Sequence, residues 1–106
     1  MKNNIDIRQY LIDIIDKEVD YGKSVYGEFN TPHEFYGVLL EEIQEFMEAS
    51  SLVMTAEKKI FTFIRNDMNI KLSIEKLENE TYQTIEELIQ ILAICKKWKT
   101  RSKKNV

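Results

Sequence analysis

A single cysteine, Cys95, leaves no partner within the chain for a disulfide, so no covalent framework is expected and an intracellular location is the natural reading. Histidine is as scarce. With only His33 and Cys95 available, neither a zinc centre nor a Ser/His/Asp or Cys/His catalytic constellation can be assembled. One proline and three glycines leave few places to turn. That favours a few long helices over a many-stranded sheet, and no segment shows the period-two alternation of a strand. No apolar run approaches the roughly 18 residues of a membrane span, and the opening MKNNIDIRQY lacks a signal-peptide core. Neither a P-loop nor a glycine-rich dinucleotide fingerprint occurs. A soluble, cytoplasmic, all-α protein is expected, and at 106 residues a single domain over 1–106.

The charge is unevenly spread. Residues 96–104, KKWKTRSKK, carry six positive charges and no negative ones, which leaves nine basic against eighteen acidic residues elsewhere. An acidic body repels nucleic acid, so broad nucleic-acid binding is not expected. A basic C-terminal tail, about 99–106, near a carboxylate cluster instead suits a small phosphorylated ligand carrying its own metal ion.

Helical periodicity predicts a first helix from about Ile5 to Tyr21, with Ile7, Leu11, Ile14, Ile15 and Val19 as its apolar stripe. Gly22 and Gly27 bracket the loop that follows. Thr31, Pro32 and Glu34 form the clearest start signal in the chain, an N-cap, a first-turn proline and a capping-box acid. The second helix then runs to about Val53. A third spans about Ala56 to Asp67, and Ser73 caps a long last one. The architecture expected is a four-helix bundle, or five helices if the last is broken between Thr81 and Thr84.

EEIQE at residues 41–45 and EELIQ at residues 86–90 carry the chemistry. At about 100° per residue, Glu87 shares its helix face with Ile91, Ile94 and Trp98, and Glu42 falls between Val38 and the group Phe35, Leu39 and Phe46. A carboxylate among apolar residues costs several kcal/mol unless a cation or hydrogen bonds compensate it, of order 2–7 even for a neutral polar group. Residues 33–56 hold Glu34, Glu41, Glu42, Glu45 and Glu48 without one lysine or arginine. Like charges at i,i+4, such as Glu41 and Glu45, weaken a helix. A solvated acidic face accounts for Glu34 and Glu48. Glu42 and Glu45, at i,i+3, can reach one ion, and Glu87 and Gln90 repeat the spacing. Oxygen donors of this kind suit Mg²⁺, which keeps water and substrate phosphates as its remaining ligands.

These segments resemble a known family. An EExxE segment on one helix and an EExxD-like segment on a later one are similar to the MazG-like nucleoside triphosphate pyrophosphohydrolases. TPHEFYGVLLEEIQE and EELIQILAI are closer still to the small MazG-like proteins common in phages and low-GC bacteria. The resemblance covers residues 30–48 and 86–98. It implies an oligomeric helical bundle that uses Mg²⁺, or Mn²⁺ in its place, to split a nucleoside triphosphate into monophosphate and pyrophosphate. Carried over by motif, Glu42, Glu45 and Glu87 match metal-binding glutamates, and Glu41 is the candidate to orient or deprotonate the attacking water. Two departures stand out. Gln90 occupies the place of the family's aspartate, which removes charge while keeping an oxygen donor, and the spacer between the segments is long.

For substrate binding, Lys97 is favoured over Lys96 because it lies near Gln90 in helical angle. Arg65 is a candidate for phosphate, with a plain surface position as the alternative. Tyr26, in the loop before the capped helix, is a candidate to stack on a base, and His33 is a candidate only through the resemblance. A MazG-like protein that binds or sequesters nucleotides without efficient turnover is the alternative function. A structural or regulatory helical oligomer, a homodimer or homotetramer whose glutamates meet lysines of a neighbour, is the third.

Overall fold

The computed structural model describes residues 4–102, with side chains from residue 6 onward; Lys103 and Lys104 of the basic tail lie outside the described residues. Among the described residues there is no strand. Three helices account for nearly all of them: α1 (Asn4–Tyr26), α2 (Pro32–Arg65) and α3 (Lys71–Lys99). Among the described residues the expected four or five helices are three, because the two expected breaks do not occur; the first helix also runs further than its pattern indicated.

α1 continues through Gly22, where a helix costs only about 1 kcal/mol relative to alanine, and stops at Gly27. Gly27 has φ of 75°, and its N–H donates to Lys23 O at 3.0 Å, the αL way of ending a helix. α2 begins as its sequence signals. The Glu34 N–H donates to Thr31 Oγ1 at 3.1 Å, while the Glu34 carboxylate reaches one residue further back than in a standard capping box, to the Asn30 N–H at 3.4 Å.

No break separates Val53 from Ala56. Hydroxyls that could compete with the helix instead fold back on it: Ser50 Oγ donates to Met47 O, Ser51 Oγ to Glu48 O, and Thr55 Oγ1 to Ser51 O. The same device carries α3 through its threonines, with Thr81 Oγ1 donating to Leu77 O and Thr84 Oγ1 to Glu80 O. α2 ends in a Schellman motif. Asp67 takes a φ of 52°, its N–H donates to Ile64 O, and the Met68 N–H donates to Phe63 O. α3 starts at Lys71 rather than at Ser73, behind an Asx turn in which Asn69 Oδ1 accepts from the Lys71 N–H at 2.8 Å.

The chain forms two compact units. The first comprises residues 1–42 and 89–106, that is α1, the start of α2 and the end of α3. Its core is Ile15, Val19 and Ala93, with Leu11 and Ile89 against them. Phe29, only 5 % exposed, meets Phe35 edge-on at 5.7 Å between centroids, and Phe35 lies 5.1 Å from Trp98. Polar ties join the loop after α1 to the end of α3. Lys23 Nζ donates to Thr100 O and Oγ1, each at 3.0 Å, and Ser102 donates to the Glu28 carboxylate from both N and Oγ, at 3.1 Å. The second unit, residues 43–88, is a helical hairpin of α2 and α3 whose buried apolar residues are Ala49 and Ala56. Among the described residues, no helix is long and apolar enough to cross a membrane.

Candidate functional site

In the second unit, Glu45 and Glu87 each bring a carboxylate oxygen within 4.8 Å of the other. Glu45 is exposed and Glu87 half-buried. Their apposition follows from the hairpin, which folds Glu87 on α3 back alongside Glu45 on α2. Glu87 Oε1 also accepts from Gln83 Nε2 at 3.0 Å, one turn earlier on α3, which restricts where that carboxylate can swing. One turn before Glu45 on α2, the half-buried Glu42 offers an oxygen within the same distance of the Glu45 carboxylate.

The donor set consists of carboxylate oxygens, the chemistry of a hard divalent cation. Ligand oxygens about 2.1 Å from Mg²⁺ can be at most about 4.2 Å apart. Closing from 4.8 Å is within the reach of a side-chain adjustment, so the residues fit such an ion.

The first unit contains a pocket of about 530 Å³, within the usual range for small-molecule sites. α1 supplies Glu18, Val19, Tyr21, Gly22 and Tyr26 to its wall, and the following loop Glu28 and Phe29. α2 adds Glu34, Val38 and Glu42, and α3 adds Gln90, Ala93, Ile94 and Lys97. The apolar floor comes from the helix faces that build the core. The polar groups are tied in place: Gln90 Nε2 donates to Glu18 Oε2 at 3.2 Å, and the Lys97 ammonium sits 4.6 Å from the centroid of the Phe29 ring. With its nitrogen so engaged, Gln90 keeps its amide oxygen as an acceptor.

Four of the residues singled out from sequence, Glu42, Gln90, Lys97 and Tyr26, line this one pocket. Lys96, the less favoured of the two lysines, forms an ion pair with Asp16. Glu41 and His33 are exposed and belong neither to the pocket wall nor to the carboxylate group. Arg65 is not brought to the acids. It lies twenty residues beyond Glu45 on α2, about 30 Å along the axis at 1.5 Å per residue, and rests over the Phe61 ring. The contribution of α1 was not legible in the sequence. Glu18 is one of five acids on that helix, and nothing in its spacing distinguishes it as the partner of Gln90.

Comparison with family models, with curated proteins and with solved structures finds no match to this chain.

Proposed function

We propose that this protein is a Mg²⁺-dependent nucleoside triphosphate pyrophosphohydrolase of the MazG-like kind, acting on a ribo- or deoxyribonucleoside triphosphate and assembling as a homodimer or homotetramer. The observation that carries the reading is the approach of Glu45 and Glu87, from two segments that resemble the family's metal-binding motifs, to within 4.8 Å. In this reading Glu42, Glu45 and Glu87 hold the ion, with the Gln90 amide oxygen as a neutral fourth donor. The ion, Mg²⁺ or Mn²⁺, supplies positive charge against the phosphate oxygens of the substrate.

The chain's own groups do the rest. Lys97, on the pocket wall, meets a phosphate oxygen, and Tyr26, 78 % exposed at the pocket, offers a ring to the base. Glu41, exposed beside Glu42, accepts the proton of the water that attacks the α-phosphorus, and pyrophosphate leaves. The test is incubation of the protein with a panel of nucleoside triphosphates and Mg²⁺, with monophosphate and pyrophosphate measured separately. Both products should form in equal amounts, and both should be lost in Glu45→Gln and Glu87→Gln. Orthophosphate as the first product, or turnover indifferent to both substitutions, would overturn the reading.

One observation favours a second reading, a nucleotide-binding protein with little turnover. Gln90 provides no charge and its amide is tied to Glu18. Nucleotide-dependent thermal stabilisation without pyrophosphate release would select it.

A further inference from the structure

The pocket of the first unit carries an unbalanced set of polar groups. Glu18, Glu28, Glu34 and Glu42 supply carboxylates and Gln90 an amide, against Lys97 as the one ammonium among its lining residues. Several of these groups are engaged. Glu28 accepts from Ser102 and lies 3.9 Å from Lys23 Nζ, and Glu42 belongs with the carboxylates described above. Glu18 takes a hydrogen bond from Gln90, the residue proposed above as a donor to the ion. Glu34 is different. Its N–H is capped by Thr31 and its Oε1 accepts from the Asn30 N–H, so the carboxylate is held at the end of the loop that follows Tyr26. Among the described residues, no hydrogen bond reaches Glu34 Oε2.

The same pocket has an open stretch of wall. α1 lines it at Gly22, where a methyl group would meet nothing beyond its own helix within 4 Å. A glycine inside a helix is destabilising relative to alanine, and what it permits is close approach of a ligand to bare backbone. Tyr26, 78 % exposed, stands one turn further along α1 on the same side. Bare backbone next to an aromatic ring suits a flat, conjugated ligand.

We propose that this pocket selects guanine: the base lies over Gly22 against the Tyr26 ring, and the Glu34 carboxylate accepts hydrogen bonds from its N1–H and N2–H. The inference rests on the nucleotide reading above and adds the base to it. Guanine presents two adjacent N–H donors, which match the two oxygens of one carboxylate, and Oε1 keeps a second lone pair beside its bond to Asn30. Adenine and cytosine offer one amino group beside an unprotonated ring nitrogen, whose lone pair would face the second oxygen. Uracil and thymine offer one N–H between two carbonyls. Each of these sets a carboxylate oxygen against a lone pair, and a site built to hydrogen-bond one edge rejects ligands that lack it.

Calorimetric titration of the full chain with guanosine, adenosine, cytidine and uridine monophosphates, each with Mg²⁺, tests this. The guanosine nucleotide should bind about tenfold more tightly than the others, or better. Glu34→Gln keeps the helix cap, since glutamine also serves in a capping box, and exchanges one acceptor for a donor. It should weaken the guanosine nucleotide about tenfold and strengthen the adenosine and cytidine ones, whose edges pair a donor with an acceptor. A loss of structure would weaken all of them together. Gly22→Leu should weaken all four while helix content holds or rises. Equal affinity for the four, or preference for another base, would overturn the inference and leave the proposed function standing, provided monophosphate and pyrophosphate are still released in equal amounts from the triphosphates. A guanine preference unchanged in Glu34→Gln would overturn it as well. No binding of any nucleotide, together with no hydrolysis of any triphosphate, would end both.

Discussion

Glu45 on α2 and Glu87 on α3 stand 42 positions apart in the chain, and their carboxylates approach to within 4.8 Å. Two like charges at that distance repel, and a bound divalent cation converts the repulsion into attraction. Mg²⁺ should therefore stabilise the fold by an amount set by its concentration relative to its dissociation constant, about 2.7 kcal/mol at a hundredfold excess. Thermal unfolding titrated with Mg²⁺ measures this. Glu87→Gln should abolish the response while leaving the metal-free protein as stable as before or slightly more so.

Gln90 is the residue whose replacement separates charge from geometry. Its Nε2 donates to Glu18, so Gln90→Asp removes a hydrogen bond and sets a second carboxylate beside the first. The metal-free variant should lose about 0.5–1.5 kcal/mol of stability. It should also bind Mg²⁺ more tightly and turn nucleotide over faster. Chemical denaturation with and without Mg²⁺ checks both directions. Weaker Mg²⁺ binding by the aspartate variant would exclude this side chain as a metal ligand.

The aromatic residues of the first unit divide into two kinds. Phe29 is 5 % exposed among Phe35, Trp98 and Lys97, so Phe29→Ala should cost about 3–5 kcal/mol, read by denaturant unfolding. Tyr26 lines the same pocket at 78 % exposure. Tyr26→Ala should leave stability within about 0.5 kcal/mol of the parent and weaken nucleotide binding, measured by calorimetry.

Asp67 holds a positive φ in the turn between α2 and α3, where a β-carbon is disfavoured. Asp67→Gly should stabilise the protein by up to about 1 kcal/mol, because the relief of strain exceeds the added freedom of the unfolded glycine. Equilibrium denaturation checks the sign. Destabilisation would mean that the Asp67 side chain contributes more than its backbone costs.

The helical class, the start of α2 at Thr31 and the turn after Arg65 were legible in the sequence because each depends on neighbours within a few residues: apolar periodicity, a capping hydroxyl, a cluster of asparagine and aspartate. The i,i+3 carboxylates were legible for the same reason. Continuity was less so. A pair such as Val53 and Ala56, or the threonines at 81 and 84, reads as a weak point, yet their hydroxyls or neighbouring hydroxyls bond back to carbonyls one turn earlier and the helices run on. What only the tertiary structure decided is which distant groups meet. That Glu87 lies against Glu45, that Lys97 faces Phe29 while Lys96 pairs with Asp16, and that Gln90 finds Glu18 depends on hairpin register and on how α1 settles against α3. The separation of Arg65 from Glu45 follows from the helix running unbroken between them, which carries Arg65 some 30 Å along the axis at about 1.5 Å per residue. Local energies set the helices, and long-range packing alone sets the pairs.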